Sequence, residues 1–83
     1  MLWLGYGVDM KEKEISLIIN KFTKTMGPVA QRIADEVAKE MGILKDGKIS
    51  PRSAEEYDAF IERIENEYAK IIGKDVVKTI MKL

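Results

Sequence analysis

The chain has 83 residues, which is one domain with no room for a second core. With no Cys and no His, disulfides and the usual transition-metal ligands are excluded, so a small domain that needs reinforcement is left with oligomerisation. Fourteen basic residues balance fourteen acidic ones, against the basic excess of a general nucleic-acid binder, and 46% apolar content marks a globular chain. Lys and Glu dominate the charges, and with many Ile and no Cys the composition leans toward a heat-adapted source.

The first eight residues, Met1-Leu2-Trp3-Leu4-Gly5-Tyr6-Gly7-Val8, are apolar but lack the basic start, length and cleavage site of a signal peptide. No stretch approaches the roughly 20 apolar residues that span a bilayer. A cytoplasmic location without a membrane span is expected. Gly5 and Gly7 suit an extended, adaptable arm over residues 1–8. Trp3, Leu4, Tyr6 and Val8 are costly to leave in water, about 1.5–3 kcal/mol for each large side chain. They either cover the chain's own core or reach across a partner, where Trp and Tyr are favoured anchors.

Asp9-Met10-Lys11-Glu12 reads as a capping box that opens a helix over residues 10–26. Its apolar stripe is Ile15, Ile18, Ile19, Phe22 and Met26. Gly27-Pro28 then ends or kinks the helix, because Pro28 has no N–H for the carbonyl of Lys24. Proline suits the first turn of the next helix, over residues 28–41. This second helix is rich in small residues and stops at Gly42, a natural left-handed cap. Ala30, Ala34 and Ala38 would let another helix approach closely, and with the apolar arm this face is expected to meet a second copy or a partner.

Lys45-Asp46-Gly47-Lys48 reads as a turn. It also resembles the middle of a calcium loop, but alignment on Gly47 puts Gly42, Leu44 and Ser53 where carboxylates are required. Ser53 with Glu56 is the better of two capping signals for a third helix over residues 53–72, ahead of Ser50 with Pro51. Its stripe is Tyr57, Phe60, Ile61, Ile64, Tyr68, Ile71 and Ile72. After Gly73 a short helix over residues 74–82 carries Val76, Val77, Ile80 and Met81. The fold class expected is all-α: a compact bundle of four helical segments in two glycine-linked pairs, with an apolar N-terminal arm.

A faint internal repeat aligns residues 22–30 with 68–76, each reading aromatic, x, Lys, x, apolar, Gly, x, x, small apolar. Chance is the favoured account of so few matches; a true duplication predicts pseudo-symmetric helix pairs. The segment from Phe22 to Ala34, above all Met26-Gly27-Pro28-Val29-Ala30, resembles a short helical module at the ends of some prokaryotic kinases and signalling proteins. Those modules carry an apolar-Gly-Pro-apolar-Ala signature. The resemblance covers about a dozen residues and implies a helical interaction module without catalysis of its own.

Charge is unevenly spread. Residues 49–68 carry two basic and six acidic residues, whereas residues 69–83 carry four lysines and Asp75. Lys70, Lys74, Lys78 and Lys82 recur every four residues and would form one ridge if the helix ran through Gly73. That ridge is either a docking strip for an anionic partner or a solvated face that pairs with the acidic one, and the balance favours the solvated face. The second and third helices echo a helix-turn-helix reader, but the acidic third helix would repel phosphates and the connection is too long.

With neither a His base nor a Cys nucleophile, catalysis has little to build on, and no cofactor is expected. The expected function is a non-catalytic interaction or regulatory module that acts through self-association, a dimer being favoured, or through a partner helix. The alternative is a nucleic-acid-associated protein that uses the lysine ridge.

Overall fold

The structure is a computed structural model; it describes the backbone of residues 2–83 and the side chains of residues 13–83. Among the described residues there are four helices: α1 (Leu2–Met26), α2 (Val29–Met41), α3 (Ala54–Ile72) and α4 (Lys74–Met81). Two short strands, β1 (Leu44–Lys45) and β2 (Lys48–Ile49), form an antiparallel hairpin between α2 and α3. The four-segment helical bundle is therefore observed.

At the N-terminus the backbone departs from the expected arm. α1 opens at Leu2, so residues 2–8 continue the helix and Asp9 lies within it, not at its cap. Two glycines cost a helix only about 1 kcal/mol each against alanine, and extending an existing helix carries no nucleation cost.

Both glycine junctions break the chain into separate helices. Gly27 takes φ 74° and donates its N–H to the Thr23 carbonyl, 2.8 Å away. Gly73 takes φ 89° and donates to Ala69 at 2.9 Å. The repeated glycines thus play matching roles, but the repeat fails further on: Ala30 is fully buried whereas its counterpart Val76 is exposed.

α2 ends as expected at Gly42, where the Gly42 and Ile43 N–H groups return to the carbonyls of Lys39 and Ala38. The turn that follows is tighter than a plain loop. Asp46 and Gly47 both have positive φ, 51° and 78°, which is the twist a two-residue hairpin requires. The hairpin carries the buried side chain of Ile49 and follows the buried Ile43, whose carbonyl accepts from the Ser50 N–H. It also occupies the connection that a helix-turn-helix reading needed to be short.

α3 starts at the better of the two capping signals. The Ser53 hydroxyl accepts from the Glu56 N–H at 3.1 Å. The Glu56 carboxylate reaches one residue further back than a standard box, accepting from the Arg52 N–H at 2.8 Å and from its guanidinium.

The core gathers Ile15, Ile19 and Phe22 of α1, the alanines and Val37 of α2, and Phe60, Ile64 and Tyr68 of α3, closed by Val77 and Ile80 of α4. Phe22 and Tyr68 stack at 4.4 Å between ring centroids, and the Tyr68 hydroxyl donates to the Ala30 carbonyl at 2.7 Å. One buried aromatic pair therefore locks α1, α2 and α3 at the end of the bundle where Gly27 and Gly73 lie.

Candidate functional site

Ala30, Ala34 and Ala38 were expected to face a partner, and here the structure corrects the sequence reading. All three are fully buried inside the chain's own core. Small side chains do allow close approach, but the neighbours that use it are α1 and α3 of the same chain. That face is not open to a second protein in this fold.

The lysine ridge is also interrupted. Gly73 ends α3 with φ 89° and ψ 153°, so Lys70 sits on one helix and Lys74 and Lys78 on another, with Lys82 at the end of α4. Lys70 pairs with Glu67 at 2.9 Å, while Lys70 and Lys74 line one shallow cleft with Arg63, which itself bonds Glu40 at 2.6 Å. The four lysines do not make a continuous strip. The acidic face of α3 stays in solvent for the most part, with Glu55, Asp58 and Glu62 exposed.

The side chains of Trp3, Leu4, Tyr6 and Val8 lie outside the described residues. Their backbone positions are informative all the same. α1 has 25 residues and α2 has 13, about 37 Å against 20 Å. α2 returns along α1 from the Gly27 turn, and near the start of α3 the Tyr57 hydroxyl donates to Glu14 at 3.0 Å. α1 therefore outruns α2 by several turns, and its surplus end bears the apolar run.

Sequence reasoning missed a groove beside α1. Its floor is the edge of the core at Ile15, Ile19 and Ile49, and its walls come from α1, α2 and the hairpin. Leu17 lies at its edge and is 60% exposed. The signal was present in Leu17, an apolar residue off the stripe of α1, but the hairpin that forms one wall was not foreseen. A second uncovered apolar residue is Ile71, which continues the Phe60, Ile64, Tyr68 stripe yet is 57% exposed, because the bundle ends at Gly73.

Few groups are electrostatically perturbed. The Glu65 carboxyl is held above its ordinary range by burial and then by Glu62. The Arg52 guanidinium holds Glu56 below the usual carboxylate range. Tyr57 is pushed up to about 12, mainly by burial and then by the Glu14 carboxylate that accepts its hydrogen bond. Burial raises Tyr68 as well. Both phenols are thus held neutral in the folded state. The contribution of Tyr57 is complete below the ordinary phenol value near 10 and is lost as pH rises through about 12, and that of Tyr68 is lost in the same direction. Thermal unfolding monitored from pH 9 to 12 should show Tm falling above pH 10, and Tyr57→Phe should flatten part of that fall.

Among the described residues no three Asp or Glu side chains converge as metal ligands, and no helix is long and apolar enough to cross a membrane. Comparison with models of protein families, with curated proteins and with solved structures finds no match for this chain.

Proposed function

We propose that this protein is a small non-catalytic interaction module of the cytoplasm, which works by joining a second copy of itself or a helix of a partner. The observation that carries this reading is the overhang of α1. Six of the first eight residues are apolar, and α1, which runs from Leu2, extends past the end of α2. Trp and Tyr in such a segment are the side chains that most often anchor interfaces. A domain of this size, without disulfides, gains the most from association. The resemblance around Gly27-Pro28, which implied an interaction module, points the same way. Nucleic-acid binding through the lysines is the weaker reading, since their ridge is broken at Gly73 and one of them is already paired.

Trp3 is the sole tryptophan and serves as its own reporter. Its emission should move to longer wavelength as the protein is diluted from about millimolar to sub-micromolar, in the range where weak homodimers dissociate. Emission that is independent of dilution, together with a monomer mass at the highest concentration, would count against the proposal.

A further inference from the structure

We infer that the groove beside α1 is the seat of residues 1–8 of a second copy, in a twofold dimer where each copy fills the other's groove. The inference rests on the proposed self-association and adds where the segment goes.

Continuity of the helix decides which chain can occupy the groove. α1 is one helix from Leu2 to Met26, so its own first turns cannot fold back along its own flank. The groove follows that flank from Lys13 to Asn20. Residues 2–8 can therefore reach such a groove only on a second chain.

Length supports the match. Residues 2–8 and 13–19 of α1 are both seven residues long, about 10 Å of helix each. An antiparallel crossing of two α1 helices centred between Met10 and Lys11 sets residues 2–8 of each copy opposite residues 13–19 of the other. In that register Leu4 stands opposite the exposed Leu17 of its partner. A twofold axis makes the contact self-complementary and closed, so it ends at a dimer.

The groove is basic at Lys13 and Lys48 and acidic at Asp35. In this register Asp9 falls opposite the partner's Glu12 and next to the partner's Lys13, so charge at that end is mixed and the apolar contacts set the register. A parallel arrangement would set the same Asp9 beside its own copy in the partner. Size is adequate as well. Trp3 and Tyr6 each bring roughly 150–250 Å² of surface, and the symmetry doubles them, which approaches the ~1,000 Å² that a biological interface needs.

The test uses the full chain, which has no native cysteine to interfere. Leu4→Cys and Leu17→Cys variants are mixed under mild oxidation, and Leu17→Glu is followed by light scattering, with circular dichroism to check its fold. Leu17 is largely exposed, so the substitution leaves the core in place. The proposal expects a Leu4–Leu17 crosslink well above the statistical share, since a disulfide needs Cα atoms within about 7 Å. It also expects Leu17→Glu to weaken the dimer by at least about tenfold. A dimer that ignores Leu17→Glu and crosslinks only at random overturns the groove. If that same dimer is lost when the chain starts at Asp9, self-association stands and only the seat is wrong. A full chain that stays monomeric at the highest concentration overturns both.

Discussion

Replacing Tyr68 with alanine should remove a large part of the stability of the fold, about 3–5 kcal/mol. The whole of a domain this size is held by roughly 4–12 kcal/mol. Tyr68 is fully buried, stacks on Phe22 and donates to the Ala30 carbonyl, so one side chain joins three helices. The alanine would leave a void at the bundle end, where α1 and α2 turn at Gly27, and surrounding helices held by short junctions collapse only in part. Tyr68→Phe separates the two contributions. It keeps the ring contact and deletes the hydrogen bond, for about 1 kcal/mol. Urea unfolding at a fixed protein concentration, followed by far-ultraviolet circular dichroism, measures both. Equal losses for the two variants would show that the hydroxyl, and not the packing, carries the effect.

Gly73→Ala should cost about 1–3 kcal/mol, although nothing crowds the site. A Cβ built there meets no atom within 4 Å, so the penalty comes from the backbone alone. At φ 89° and ψ 153° the residue sits in a region that is essentially restricted to glycine. The chain could escape the strain by running α3 straight into α4. That would align Lys70 with Lys74 and Lys78 as the sequence spacing suggests, but it would pull Val77 and Ile80 out of the core. Either route destabilises the protein. Gly42→Ala, at φ 73° and ψ 23°, tests the argument, because an ordinary left-handed cap costs an alanine only about 1–2 kcal/mol. A neutral Gly73→Ala would mean that the α3–α4 break is not held by this conformation.

The helices were legible in the sequence because their signals are local. The stripe of α3, the Ser53 cap, the Gly42 stop and the Gly27-Pro28 break each depend on residues within a few positions of one another, and each is found where expected. The hairpin was half legible. Asp46-Gly47 marked the turn, but strands of two residues are too short to show alternation. The start of α1 was misread because glycine and a capping box argue for a boundary, whereas the cost of two glycines is small beside the gain from continuing a helix.

The site was less legible, for a physical reason. A run of small residues reports that something packs closely, without saying whether the neighbour belongs to the same chain. Ala30, Ala34 and Ala38 look the same in sequence whether α1 or a partner covers them, and α1 covers them here together with α3. The lysine spacing had the same weakness, since one glycine between Lys70 and Lys74 decides whether there is a ridge. The groove was legible only through Leu17, because its walls come from three separate elements, one of them the hairpin.

The most direct test of the account is light scattering behind size exclusion, on the full chain and on a version that starts at Asp9, across a wide range of concentration. The account predicts a dimer for the full chain and a monomer, or loss of folding, for the shortened one. Two folded monomers at every concentration would contradict it.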